Sequence, residues 1–413
     1  MKYIRTYETK EKFLTDKDST SRGFRLKPTL YKYSEAGDHV QLELDDPRKH
    51  GDSTYMEITL DSDVEFSFYI GNAPGDTQTT MNCSIDWGDG TVETKTITEE
   101  IIGDEYDDNK GFKLSHNYKA GSYEIELYDV ERDYVTAKGT TYWGEYTSLI
   151  SHPSSIRRVV LGGSIVSIGM STFAGCSSLT SVYIFEGFTS IGEGAFYNCT
   201  SLTSVYIPKS VTSIEGDAFD YCTSLTSIYI PESVTSIGYA AFANNPSLTS
   251  VYIPEGVTSI EGSVFSSCTG LTSVYIPEGV TSIGQGAFYG CVGLTSINIP
   301  EGVTSIAGFN GCTGLTSIRI PESVTSIGVY AFDSCTGLTS IRIPERVTTI
   351  EAWAVRGTAL TSISSLNTTA PTLGKRPFEN LPTNGILHIK PGATGYDAWL
   401  KSLPSGWTIV EDL

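Results

Sequence analysis

The residues best suited to chemistry fall into three groups. The first is the stretch EEIIGDEYDDNKG at 99–111, where Asp104, Glu105, Asp107, Asp108 and Asn109 offer hard oxygen donors of the kind Ca²⁺ takes. Its spacing is not that of a helix–loop–helix calcium site, because Gly111 is misplaced and no Glu closes the loop at the twelfth position. Asp104, Asp107 and Asp108 therefore stand as metal candidates beside the plainer reading of a solvated acidic loop, and no other cofactor is expected. The second group is the five histidines, His39, His50, His116, His152 and His388, none of which recurs at a fixed spacing. A nucleophilic triad needs three groups converging in space, and serine is too abundant here for any Ser–His proximity to be informative. No GxSxG, P-loop, HExxH or dinucleotide fingerprint occurs, so the chain is not expected to be an enzyme.

The third group is a row. Tyr183, Tyr206, Tyr229, Tyr252 and Tyr275 follow one another at 23-residue intervals, and Asn298, Arg319 and Arg342 continue the series. Serines stand two residues before each Tyr. Tyr gives large contact area at small entropic cost and Ser gives adaptable hydrogen bonds, the mixture used by antibody paratopes. Rings at strand spacing could also stack on sugar faces. A ladder of Tyr also stabilises a sheet with no ligand at all, and repeat duplication copies useful and idle residues alike. Both readings stand. The change from Tyr to Arg favours binding, since it makes a strip that is aromatic, then cationic. Tyr183, Tyr206, Tyr229, Tyr252, Tyr275, Arg319 and Arg342 are the candidate ligand-binding residues. A parallel series, Glu232, Glu255, Glu278, Glu301, Glu322 and Glu345, follows the Pro that ends each strand; it reads as a solubilising edge.

What must position these residues is a repeat. The Leu of LTS falls at Leu179, Leu202, Leu225, Leu248, Leu271 and Leu294, then at Leu315, Leu338 and Leu360 after steps of 21, 23 and 22. Ile156 begins a degenerate first copy. Such periods with recurrent Leu indicate a leucine-rich solenoid. Within a unit, Val205 and Ile207 alternate with Ser204 and Tyr206, so a strand turns Val and Ile inward and Ser and Tyr outward. Pro208 ends that strand. A second short alternation buries Val211 and Ile214. Stacked units then make columns. Phe173, Phe196, Phe219, Phe242, Phe265, Phe288, Phe309 and Phe332 form an aromatic spine. Cys176, Cys199, Cys222, Cys268, Cys291, Cys312 and Cys335 form a second column in which Asn245 takes one place. Seven identical slots cannot all pair as disulfides, and Asn stands in for one. A small buried group that bonds a nearby backbone atom explains both facts.

Composition narrows the partners. The 413 residues carry a net charge of −20, so neither duplex nucleic acid nor an anionic membrane is an expected partner. No apolar run is long enough to span a bilayer, and the charged start MKYIRTYETKEKFLTDKD has no signal-peptide core.

The units SVTSIGEGAFYNCTSLTSVYIPESVTSIG, so assembled, resemble the BspA-type leucine-rich repeat over about 156–363. APTLGKRPFENLPTNGILHIKPGATGYDAWLKSLPSGWTIV resembles the segment that closes such arrays. CSIDWGDGTVE followed by LSHNYKAGSYEIELYDV resembles a PKD-type β-sandwich, through Asp86, Trp87, Gly88, Asp89, Gly90, His116, Tyr118, Gly121 and Tyr123; His116 is expected to bond structurally there. The start of the chain resembles the starts of virion proteins from gut bacteriophages. The expected fold is mainly β: a leucine-rich-repeat solenoid of about nine 23-residue units behind a PKD/Ig-like sandwich. The expected divisions are 1–56 (a possible anchor), 57–150 (sandwich), 151–363 (solenoid) and 364–413 (cap). The resemblances imply non-enzymatic, surface-displayed recognition: a virion protein that binds a protein or glycan on a bacterial surface, held through 1–56 to virion partners or to further copies of itself, without membrane insertion. The alternatives are a bacterial adhesin for host proteins or glycans, and a virion decoration protein that is only a spacer.

Overall fold

The computed structural model describes residues 150–413 apart from 163–164, and before them 29–33, 39–43, 54–72, 80–98, 100–101, 110–128, 135–137, 139–142 and 145–148. The metal candidates Asp104, Asp107 and Asp108 lie outside these residues. So does most of 1–56, of which Thr29–Tyr33 and His39–Glu43 pair antiparallel.

From Ile156 on, the chain coils with almost no helix, in about eleven turns. Each turn lays down one strand in a first row, such as Ser181–Ile184 and Ser204–Tyr206, and a two-residue strand in a second, such as Ser190–Ile191 and Ser213–Ile214. Like residues pair with like in parallel register: Val182 with Val205, Tyr183 with Tyr206, Ile191 with Ile214. Period-two alternation buries Val205, Ile207, Val211 and Ile214. The second row is one ladder from Ile165–Ile168 to Ser236–Ile237 and another from Ser259–Ile260 to Thr372–Leu373. The first row is likewise interrupted between Ser204–Tyr206 and Ser250–Tyr252.

The phenylalanines stack as a continuous spine from Phe173 to Phe332, with ring centroids 5.2–5.9 Å apart and planes within 16° of parallel. Beside it the thiols from Cys199 on donate to the carbonyl of the Phe one turn back: Cys199 Sγ to Phe173 O at 3.1 Å, Cys222 to Phe196 at 3.2 Å, Cys335 to Phe309 at 3.0 Å. These carbonyls lie too deep for water, and a buried acceptor without a donor is costly. Asn245 Nδ2 does the same for Phe219 O and Phe242 O, both at 2.9 Å, so Asn and Cys are interchangeable donors there. All eight cysteines are free and buried. Burial pushes the thiols of Cys268 and Cys312 up to about 12. Two further columns are threonine: in one Thr203 Oγ1 donates to Thr180 O and Thr272 Oγ1 to Thr249 O, and in the other Thr348 Oγ1 donates to Thr325 O.

The shorter turn, 294–314, keeps both columns. Phe309 stacks on Phe288 at 5.3 Å and Cys312 bonds Phe288 O at 3.1 Å. The missing two residues are taken from the corner between Ile306 and Phe309.

Both ends are covered. Ahead of the array, Thr54–Leu60, Gly121–Tyr128, Thr80–Asp86 and Val92–Thr98 form one antiparallel set, and Val64–Asn72, Lys110–Tyr118 and Glu100–Ile101 another. Thr54–Leu60 pairs antiparallel with Ile156–Leu161, and Val135–Ala137 joins Val64–Asn72 to Ile165–Ile168. Each sheet thus runs on into one row of the coil, and a single hydrophobic cluster extends from Met56 to Trp407. The WGDG turn is tied down: Trp87 N–H donates to Thr91 O at 3.0 Å, Gly88 N–H to Asp86 Oδ1 at 2.8 Å, and Tyr118 Oη to Trp87 O at 2.8 Å. His116 stacks on the buried Trp87 ring and sits 2.8 Å from Asp89 Oδ2. Gly88 has φ +76°, and any Cβ there would collide with the backbone of Glu124. At the other end the unit count exceeds nine because backbone pairing outlasts the Leu landmark: Ser362–Ser365, Ile386–Ile389 and Thr408–Glu411 extend the first row in parallel. The helix Asp397–Ser402 sets Trp399 against Phe378, over the end of the spine, with Trp399 Nε1 donating to Pro371 O at 3.0 Å.

One buried acid has no cation. Asp220 follows Phe219 and accepts from Asn244 Nδ2 at 2.9 Å; burial raises its carboxyl to about 6. Its counterpart Asp333 is paired with Arg356 through two bonds of 2.7 and 2.9 Å.

Three outcomes follow from this packing. Phe265→Ala cuts a ring stacked on both sides and lowers unfolding free energy by about 3–5 kcal/mol, measured by denaturant titration. A thiol reagent at pH 8 labels none of the eight cysteines in the native chain and all of them once it is unfolded. Asp220 keeps its proton in the folded chain up to about pH 6 but loses it near 4 when unfolded, so the stability it lends is full below pH 4 and gone above 6. The melting-temperature gain of Asp220→Asn over the parent is therefore larger at pH 7.5 than at pH 4.5.

Candidate functional site

The first strand row carries the predicted residues, and the alternation that buries Val and Ile turns them out. Tyr183, Tyr206, Tyr229, Tyr252 and Tyr275 are half-buried, while Asn298, Arg319 and Arg342 are exposed. Parallel register places neighbours one strand spacing apart. Tyr183 and Tyr206 stack at 4.6 Å with planes 7° apart, and Tyr252 and Tyr275 at 4.8 Å and 3°. Rings packed in this way cover each other's faces and present edges and hydroxyls. Within those two pairs the inner ring faces are taken by each other, and the hydroxyls form a line of polar rims.

The Glu series lies against this line. Three of the outward side chains reach the Glu of the turn before them. Tyr275 Oη donates to Glu255 Oε1 at 2.8 Å, Arg319 Nη2 donates to Glu301 Oε1, and Arg342 Nη1 donates to Glu322 Oε1 at 2.9 Å. Further along, Lys390 pairs with Glu345 at 3.1 Å from two turns away. Burial, and then the bond to Glu255 with the charge of its neighbours, raises the Tyr275 phenol to about 12. Tyr183 is raised by burial and then by Tyr206 and Glu186; Tyr252 by burial and then by Glu232 and Glu255. All stay protonated donors at neutral pH. Arg319 in turn holds the Glu301 carboxyl below its usual range. The two arginines are thus not bare cations. The strip is a run of phenol–carboxylate pairs that passes into a run of guanidinium–carboxylate pairs.

A nucleophilic site does not assemble. Ser151 Oγ and His152 Nδ1 are 3.0 Å apart, but Ser151 also accepts the Ser67 N–H at 2.8 Å, a structural link between the upstream sheets and the coil. His388 pairs with Asp412 across the last two strands. Among the described residues, no three His, Cys, Asp or Glu side chains are placed to hold a metal ion.

Sequence reasoning missed a second set of aromatic residues, at the corner that precedes and follows each spine Phe. Tyr330 and Trp353 stack there at 5.1 Å, with Arg356 beside Tyr330 and Lys375 over Trp353. Tyr197 meets Tyr221 edge to face at 5.8 Å. No single column repeats a ring often enough to be seen in the text. What marks the corner is its backbone: Asp217, Ala240, Ser263, Tyr330 and Trp353 all have φ between 52° and 57° and occupy one corner place.

The model of the BspA type leucine rich repeat region matches residues 150–272 and 258–384, in 6 copies. Among solved structures the chain is similar to a leucine rich cell surface protein of Faecalibacterium prausnitzii, at 26% identity over 56% of this chain and 86% of that one, with a TM-score of 0.34. It is similar to a leucine rich repeat protein of T. pallidum at 28% identity, over 46% and 77% of the chains, with a TM-score of 0.32. It is also similar to the pneumococcal vaccine antigen PcpA at 16% identity, over 63% and 78%, with a TM-score of 0.41. No curated protein matches.

Proposed function

This chain belongs to the BspA-type leucine-rich-repeat family, and from that premise we propose that it is a non-enzymatic recognition protein that binds a protein or glycan on a cell surface through the Tyr–Glu–Arg strip. The observation that carries this reading is the inter-turn bonding of the strip. Interior columns are dictated by packing, but nothing in the packing requires Tyr275 to reach Glu255 or Arg342 to reach Glu322. Those bonds hold long side chains in one geometry before any partner arrives, which lowers the ordering cost of binding. The exposed groups recur at one strand spacing, so the matching partner is extended and polar, with groups of its own at a similar interval.

The finer points rest on sequence. The sandwich is read as PKD-like through its WGDG turn, His116 and Tyr118. Display on a virion is favoured by the resemblance of the chain's start to virion proteins of gut bacteriophages, and residues 1–56 would then be the attachment. No described helix is long and apolar enough to cross a membrane.

The test is binding of the labelled protein to whole gut bacteria, with host extracellular matrix beside them. Saturable binding to particular strains, weakened at least tenfold by combined Tyr206→Ser, Tyr229→Ser and Tyr252→Ser, is the expected result. Binding to matrix instead transfers the reading to an adhesin. Binding that survives the triple substitution removes the strip from the account.

A further inference from the structure

The most exposed tyrosines of the described residues are not on the strip. They are Tyr221, Tyr239 and Tyr289, at 42, 62 and 48% exposure, and all three lie at the corner flanking the spine Phe. Tyr239 and Tyr289 differ from the stacked rings of the strip in their support. A methyl group on Gly262 would stand 3.3 Å from two ring carbons of Tyr239, so that ring rests against a bare glycine of the next turn. Gly311 stands in the same relation to Tyr289, at 3.7 Å from Cε2. Each ring is backed by main chain, and about half or more of each residue is exposed to solvent. Ser263 Oγ fixes the Tyr239 hydroxyl at 3.3 Å.

We propose that this corner is a second binding site, in which Tyr239 and Tyr289 are platforms for the sugar rings of a neutral glycan. The two rings are two turns apart, roughly 9–10 Å along the stack, so one oligosaccharide can reach both. An aromatic face is electron-rich and attracts the C–H face of a pyranose. The rim supplies polar groups for its hydroxyls: Gln285, Ser266, Ser267 and Asn244. An extended peptide is disfavoured by the backbone. Ala240, Asn244, Ser263 and Ser267 already give their N–H groups to Gly262, Ser266, Gln285 and Tyr289, so no free edge remains for a peptide to pair with. An acidic glycan is disfavoured by charge: from 159 to 318 the sole basic residue is Lys209, among ten carboxylates.

The substitutions that test this are already tolerated by the array. The place of Tyr239 is held by Gly216 and Gly262 in adjacent turns, and that of Tyr289 by Ser266, so Tyr239→Gly and Tyr289→Ser leave the fold in place; unchanged melting temperatures verify it. The full chain is titrated with cellotetraose, maltotetraose and chitotetraose, with a heparin tetrasaccharide and an octaproline peptide as contrasts, and binding is read by saturation-transfer NMR and calorimetry. At least one neutral tetrasaccharide is expected to bind saturably, each single substitution to weaken it at least tenfold, and the pair to abolish it. The Tyr206/Tyr229/Tyr252 triple variant is expected to bind as the parent does, which separates this site from the strip. Binding of none of the three, preference for heparin or octaproline, or survival in the double variant would overturn the proposal.

Discussion

The bond from a cysteine thiol, or from Asn245, to the carbonyl of the Phe one turn back, made in every turn from Cys199 to Cys335, is the constraint on which the array depends. A single unit has an apolar face it cannot bury alone, and only stacking removes that face from water. Hydrophobic stacking by itself is tolerant of slippage. The thiol is small enough to sit beside the Phe ring and can satisfy one particular buried carbonyl, so it sets the register in which rings overlap. Given that register, Tyr must fall beside Tyr and Glu beside Glu, and the outer strip is a by-product of inner accounting for hydrogen bonds. The 21-residue turn shows the order of priority: two residues are lost from the corner while Phe309 and Cys312 keep their places.

Two layers of specification are superimposed in each unit. Inward positions answer to volume and hydrogen-bond satisfaction and are nearly identical in every copy. Outward and corner positions answer to neither, and there the copies diverge: Tyr gives way to Arg along the strip, and Gly, Ser, Tyr and Trp exchange at the corner. The divergence is compensated locally. Arg319 and Arg342 arrive where Glu301 and Glu322 can pair with them, and Arg356 where Asp333 lies.

The columns were legible in the sequence because a fixed period brings identical residues to identical surroundings. Phe, Cys and the alternating Val–Ile were placed from spacing alone, and the equivalence of Asn245 with cysteine pointed to the carbonyl bond before it was seen. The strip residues were found, but not their engagement: whether Arg319 is free or paired depends on rotamers that no spacing encodes. The corner rings were overlooked because they occupy several places at the corner rather than one column. The turns beyond Leu360 lost their Leu, and strand pairing there rests on Ile363, Leu387 and Ile409 without the usual text around them. The junction between the upstream sheets and the coil was not legible at all. Thr54–Leu60 meets Ile156–Leu161 across a hundred residues of chain, and neither strand announces its partner.

The interruption of both strand rows near the middle of the array gives the molecule a mechanical character. Turns are links in series, so a pull along the stack is borne equally by every interface and the array is as strong as its poorest one. Between the turns of Ile237 and Ile260 the strand rows fall out of pairing, while the corner still holds through Ala240 to Gly262, Phe242 to Val264 and Asn244 to Ser266. On the strand side what crosses is sparser: Thr249 N–H and Oγ1 to Thr226 O, and Glu255 N–H to Glu232 Oε2. With fewer strand bonds than its neighbours, that interface is the place where tension would be felt as bending, at a position fixed by the sequence itself.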